Sequence, residues 1–370
     1  MSLSVCLLTR NEEEHLARAV RSVSGVADEV IVADTGSRDR TLQIAAELGT
    51  RVLHFPWEDD FAAGRNFCLE QAREKWVLWL NADEALLPSS QGALTECLAR
   101  GDVFGYFVHV QQPIDQERFV ETADLRLFRR RSDLRFVGRL QPEVPPEIVE
   151  AIQIDGQHVT SSQIVLRSAV PIAGRSEAKL RWALRLLELE LAERPAELRY
   201  LIEYGATLLA LGDPRAPGVM AEAAHQVAAA RNAPVAPSVK VQVLLEYLLS
   251  ADANLPRARL TREDAFELAL RWFPSSPPVL YKCAEVAFHR GDFGLARQLL
   301  EHLLELGRSG AFDRSRRFDP GLVGDDALVN LAACCERMGD VDQAERCYRH
   351  LLGSRHFRRQ AAAGLARIGR

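Results

Sequence analysis

The chain has no cysteine pair at metal or redox spacing, no long apolar run and no excess of positive charge. Its seven cysteines (Cys6, Cys68, Cys97, Cys283, Cys334, Cys335 and Cys347) are odd in number and scattered, with no Cys-x-x-Cys. Neither a disulfide framework nor a cysteine-held zinc is indicated, and reduced thiols in a cytoplasmic setting are expected. No run of about twenty apolar residues exists to span a bilayer. The first residues enter a strand-like stretch without the basic flank or the h-region and cleavage site of a secretion signal. A formal net charge of −5 gives no global attraction to nucleic acid or anionic membrane. What remains is a globular composition, 47% hydrophobic and 26% charged, over 370 residues, enough for two domains.

The first half alternates two periods. Ser2–Leu8, Glu29–Ala33, Arg51–Phe55 and Trp76–Leu80 read as strands, and Leu16, Val20 and Val23 lie at helical spacing between the first two. Ser37 is placed to cap a helix running through Leu48, and Ala62–Lys75 forms the next. Strands alternating with helices predict a parallel sheet. From Asp102 to about Gly174 the pattern changes to alternating stretches and prolines (Pro142, Pro145, Pro146), read as antiparallel edge strands and loops. Arg126, Arg129, Arg130 and Arg131 form a basic cluster able to hold phosphates, for which a solvated strand edge is the more frequent explanation.

From Ser176 onward the chain reads as helical and repetitive. Leu280, Ala284, Ala287, Gly291-Asp292, Ala296 and Leu300 correspond one for one with Leu328, Ala332, Cys335, Gly339-Asp340, Ala344 and Tyr348, 48 positions on. Gly307–Gly324 reads as an insertion, Leu201, Gly205, Leu208 and Gly212-Asp213 as a weaker copy, and Ala265–Trp272 as part of another helix pair. Small residues that let two helices touch and a Gly-Asp turn between them suggest stacked helix pairs resembling tetratricopeptide repeats.

The densest chemistry follows the fourth strand. Trp76-Val-Leu-Trp-Leu80 is apolar on both faces and leads directly into Asn81-Ala-Asp83-Glu84. The carboxyl ends of parallel strands are where such sheets bind ligands. Hard oxygen ligands there suit Mg²⁺ or Mn²⁺ holding a diphosphate. Asp34 ends the second strand, where its carboxylate can accept from a base or ribose, or simply from its own loop. Arg65 follows a loop carrying Asp59 and Asp60, able to meet a diphosphate or to form an ion pair with Asp60.

Four ordered motifs carry a resemblance: Cys6-Leu-Leu-Thr-Arg-Asn-Glu12, Asp34-Thr-Gly-Ser-x-Asp-x-Thr41, Phe55-Pro-Trp-x-Asp-Asp-Phe-x-x-x-Arg-Asn66 and Trp76-x-Leu-Trp-Leu-x-Ala-Asp-Glu84. Together they resemble family 2 inverting glycosyltransferases, in a bacterial branch similar to lipopolysaccharide-core β-glucosyltransferases that often carry tetratricopeptide repeats. Leu125–Arg130 and Phe136–Arg139 extend it. The resemblance implies an α/β GT-A domain at 1–174 and an all-α tetratricopeptide-like domain at 176–370. It implies that Thr9, Asn11 and Glu12 line a nucleotide pocket, that Asp34 contacts the base, that Arg65 lies by the donor, and that Asn81 and the metal ligand Asp83 stand at the Asp-x-Asp position.

The expected function is inverting transfer from a nucleotide-sugar, UDP-linked, to a saccharide, lipid or protein acceptor, with the repeats recruiting the acceptor or pairing two subunits. Three positions depart from the branch: Asn81 replaces Asp, and Gln141 and Pro142 stand where His-Glu is usual, leaving Glu143 as candidate base. Asp155 and His158 stand near the place of a histidine-bearing strand end. These substitutions give the rival reading its content, a scaffold or nucleotide-binding module of glycosyltransferase fold without turnover. A nucleotidyltransferase on a similar sheet is a third class, distinguished by release of diphosphate from a nucleoside triphosphate.

Overall fold

A computed structural model of the chain describes residues 2–115, 118–171, 176–250 and 259–369. The chain divides into two compact units, Met1–Glu190 and Leu191–Arg370. Among the described residues no helix is long and apolar enough to cross a membrane.

The first unit opens with β1 (Leu3–Thr9), α1 (Leu16–Val23), β2 (Glu29–Asp34), α2 (Thr41–Glu47), β3 (Arg51–His54), α3 (Phe61–Gln71) and β4 (Trp76–Trp79). It continues with β5 (Glu84–Leu86), α4 (Gln91–Ala99), β6 (Val103–Pro113), β7 (Phe119–Arg129), α5 (Pro146–Ile154), β8 (His158–Ser168) and α6 (Glu177–Glu193). The sheet runs β3-β2-β1-β4-β7-β6-β8-β5. β1 to β4 are parallel, and Thr9 stands opposite Asp34, so their carboxyl ends are level. Period-two alternation along β1 divides its side chains between two cores. Leu3, Val5 and Leu7 pack with α1, α2 and α4 residues, whereas Cys6 packs with α3, α5 and Phe136. β4 is buried at every residue, as its apolar run requires.

The later strands differ from the expectation. β6 and β7 are eleven-residue strands inside the sheet, not at its edge, because β7 pairs antiparallel with β4 (Leu78 opposite Leu127) where the parallel portion ends. β8 is parallel to β6, and β5 forms the edge beyond it. The arginines read as a solvated edge are accordingly split. Arg126 and Arg129 are 6% and 9% exposed, and each is compensated. Arg129 donates to the Val103 carbonyl at 2.7 Å and stacks over Trp76, while Arg126 pairs with Glu84. The proline-rich stretch read as loop starts α5, because Pro146 lacks only an N–H that a helix's first turn leaves unpaired anyway. α6 packs on this unit through Trp182, whose ring meets Phe61 edge-on at 5.6 Å.

In the second unit the helices are α7 (Leu198–Ala210), α8 (Ala216–Ala229), α9 (Val241–Leu249), α10 (Arg262–Trp272), α11 (Pro277–His289), α12 (Phe293–Ser309), α13 (Asp325–Met338), α14 (Val341–Leu351) and α15 (Arg358–Arg367). The repeated Gly-Asp has a direct cause. Gly291 and Gly339 take φ of 80° and 76°, which ends one helix, and Asp292 and Asp340 then cap the next by accepting the Leu295 and Gln343 N–H. The segment read as an insertion holds the end of α12, a loop and a short 3₁₀ turn, Pro320–Val323.

Candidate functional site

A hollow of about 510 Å³ opens at the carboxyl ends of β1, β2 and β4. Five carboxylates line it, Glu12, Glu13, Glu14, Asp39 and Asp83, together with Asn11 and His15. Lys179 of α6 is the one lysine or arginine among its described lining residues, and no ion pair engages it among the described residues. Concentrated negative charge acts on the acids themselves. Burial first, and then the neighbouring Asp83, raise the Glu12 carboxyl above its ordinary value.

The expected site residues fall into three groups. Asn11, Glu12 and Asp83 meet at the hollow. Asn11 sits at φ 55°, a conformation asparagine tolerates better than most residues. Its N–H donates to Ser37 and its amide oxygen accepts the Arg38 N–H at 2.8 Å, joining the loop after β1 to the loop after β2. Asp83 is fixed from two sides. The Ser168 hydroxyl donates to its carboxylate at 2.5 Å, and Arg18 donates to its carbonyl and to that of Arg167 at 3.2 and 3.0 Å.

Thr9 and Asp34 form a second group just beneath, and neither lines the hollow. Asp34 is 1% exposed. One carboxylate oxygen accepts the Gly36 and Ser37 N–H groups at 2.9 Å each, and the other accepts the Ser37 and Thr9 hydroxyls. The alternative of a bond to its own loop is what the geometry displays. Ser37 is engaged there too and does not cap α2, whose N-cap residue is Arg40, with no side-chain cap.

The third group gathers around Arg65 and Asn81. Asn81 is turned away from the hollow: its amide donates to Glu84 at 2.8 Å and accepts the Trp79 indole N–H at 3.3 Å. Arg65 lies over the Trp79 ring at 4.8 Å and the Phe136 ring at 5.2 Å. The ion pair with Asp60 does not form, because Asp60 caps α3 through the Ala63 N–H. Among the described residues the Arg65 guanidinium has neither hydrogen bond nor ion pair. Burial, reinforced by the adjacent Arg126, lowers its pKa to about 9. An unpaired guanidinium held between two rings beside a second cation is poised for an anion.

Glu143 stands outside the lining of the hollow, in a two-residue β-bridge with Val137. Asp155 pairs with Arg131 at 2.6 Å. The sequence reading did not single out His15, Asp39, Gln112 or Lys179. A paired pattern existed only for Asp39, inside the motif after β2. Gln112 donates to the Val170 carbonyl while its buried amide oxygen has no partner among the described residues.

Residues 4–152 match the family described as glycosyl transferase family 2, and residues 277–302 and 326–350 match tetratricopeptide repeats, coinciding with α11–α12 and α13–α14. The chain is 40% identical over 134 residues to a TPR repeat-containing protein of Synechococcus elongatus, covering 36% of this chain and 33% of that one. It is 30% identical over 142 residues to the lipopolysaccharide core biosynthesis glycosyltransferase LpsC of Rhizobium meliloti, covering 35% of this chain and 52% of that one. The similarity thus spans about a third of the first relative and about half of the second. Among solved structures, glucosyl-3-phosphoglycerate synthase of Mycobacterium tuberculosis, in complex with Mn²⁺, UDP and phosphoglyceric acid, is similar at 17% identity. Its TM-score is 0.37, over 52% of this chain and 78% of that one, a likeness too distant to assign anything here. Residues 4–152 thus match the glycosyl transferase family 2 model on an α/β sheet, and matches to tetratricopeptide repeats follow along the chain.

Proposed function

We propose that the first unit transfers a sugar, with inversion, from a UDP-sugar donor bound at the hollow to an acceptor hydroxyl. The observation that carries this is the convergence of Asn11, Glu12, Asp39 and Asp83 on one cavity at the strand ends of a family 2 domain. Nucleotide groups suit Asn11 and the loop that Asp34 and Thr9 fasten. Arg65, desolvated beside Trp79 and Phe136, lies outside the lining of the hollow, so its place by the donor rests on the motif it belongs to. Lys179 supplies the positive charge that a leaving diphosphate needs among carboxylates.

The donor set fits Mg²⁺ or Mn²⁺ of the kind carried in by a nucleotide. Among the described residues no three His, Cys, Asp or Glu side chains form a ready metal cage. One or two carboxylates with phosphate oxygens suffice for such an ion, and Asp83 is the one we assign to it. When bound, the ion would neutralise charge on the departing diphosphate. Asn81, committed to Glu84, supports the turn that presents Asp83. Inversion requires one proton acceptor for the incoming hydroxyl. Glu12, whose carboxyl holds its proton more tightly than usual, is the acceptor we favour over Glu143, because Glu143 stands outside the lining.

The rival is a fold without turnover, favoured by one observation: a single acid of the Asn81-Ala-Asp83 motif faces the hollow. A donor panel separates the two. Hydrolysis or transfer with one UDP-sugar that disappears in Asp83→Asn supports the enzyme. Binding of UDP with no turnover for any donor supports the scaffold.

A further inference from the structure

Charge on the second unit is unevenly placed. Although the chain carries 51 acids against 46 lysines and arginines, Arg346 to Gly369 contains no acid, six arginines and two histidines. Arg346, Arg349 and His350 share the exposed face of α14 at helical spacing. The turn that follows exposes Leu352, Arg355 and His356, and α15 begins with exposed Arg358 and Arg359. Two of these arginines are neutralised, Arg349 by Glu345 and Arg367 by Glu336. Among the described residues Arg346 bonds the neutral Gln343 amide and no acid. Among the described residues Arg355, Arg358 and Arg359 have neither ion pair nor hydrogen bond.

This arrangement opposes folding rather than assisting it. Unscreened like charges repel, and Arg358 and Arg359 occupy the first turn of α15, where the helix dipole is positive and acids are the favourable residues. A solvated outer face on a stacked helix needs polarity, which mixed charges supply without that cost. The uncompensated surface matches an external array of anions.

We propose that the Arg346–Arg359 surface docks on a bilayer bearing anionic phosphate headgroups. Clustered arginines each gain attraction to such a surface within a Debye length. Leu352, 38% exposed amid the arginines, adds an apolar contact of the kind interfacial segments use. Single-stranded nucleic acid offers phosphates too, but its capture relies on exposed rings for stacking. Of the segment's four rings, Tyr348 is buried and Phe357 packs against the helical core, which leaves only the two imidazoles, His350 and His356, outside.

The test is co-sedimentation of the full chain with phosphatidylcholine vesicles, with and without phosphatidylglycerol, across a salt series. Binding should require the anionic lipid and fall steeply with salt. Combined Arg355→Gln, Arg358→Gln and Arg359→Gln should lower the partition coefficient about a hundredfold with an unchanged melting curve. Binding equal on neutral vesicles, no binding at low salt, or an unaffected triple variant would overturn the proposal. So would a single-stranded RNA oligonucleotide binding more tightly than the anionic vesicles. Should the triple variant fail to fold, the lipid and salt dependence of the unmodified chain decides alone.

Discussion

Arg126 and Glu84 form an ion pair at 3.4 Å in the interior of the first unit, each under a tenth exposed. Burial raises the Glu84 carboxyl, and Arg126 is the largest opposing influence. Breaking such a pair by removing one partner costs about 3–5 kcal/mol. Arg126→Met should therefore lower stability in urea melts at pH 7 by about that amount. Without the guanidinium, the folded pKa of Glu84 rises further above its unfolded value of about 4.3. A carboxyl raised on folding contributes stability below the unfolded pKa and loses it as pH rises through the folded one. The deficit should therefore shrink as pH approaches about 4.

Arg65 presents the opposite case, a cation whose pKa falls to about 9 on burial. A base depressed on folding contributes stability above its unfolded pKa and loses it as pH falls through the folded value. At neutral pH its charge therefore opposes folding. Arg65→Met should raise the melting temperature, by about 2–4 °C for each kcal/mol relieved, and weaken UDP binding. A lower melting temperature would show that its ring contacts with Trp79 and Phe136 matter more than its desolvation.

Ser168 touches the Asp83 carboxylate and does not line the hollow. Removing a partner that orients a metal-ligating group typically costs 10–100-fold in affinity. Ser168→Ala should weaken Mn²⁺-dependent UDP binding by about that factor while shifting the melt by less than about 1 kcal/mol.

The Gly-Asp turns of the second unit predict capping costs. Asp292→Ala and Asp340→Ala should each destabilise by about 1 kcal/mol. Gly339→Ala places a side chain at φ 76° and should cost about 1–2 kcal/mol. Urea melts of the full chain measure all three.

The parallel strands and the helix pairs were legible because their signals are local. Apolar runs such as Trp76–Leu80 set the strands, and Gly291-Asp292 sets a turn through the conformation of its own residues. Position within the sheet is not local. Nothing in the alternation of β6 or β7 states that β7 pairs with β4, so Arg126 read as solvated when it is buried against Glu84. Glu12 and Asp83, read as acids that follow strands, both line the hollow. Asn81, expected beside Asp83 at the Asp-x-Asp position, does not line the hollow, because the Glu84 carboxylate holds its amide. Lys179 carries no motif, and only the packing of α6 brings it to the rim.

Calorimetric titration of UDP, with and without Mn²⁺, into the chain and into Asp83→Asn tests the central claim most directly. The account predicts binding at the hollow that Mn²⁺ strengthens at least tenfold in the unmodified chain and does not strengthen in the variant. Equal affinity in both proteins, or no dependence on Mn²⁺ in either, would contradict it.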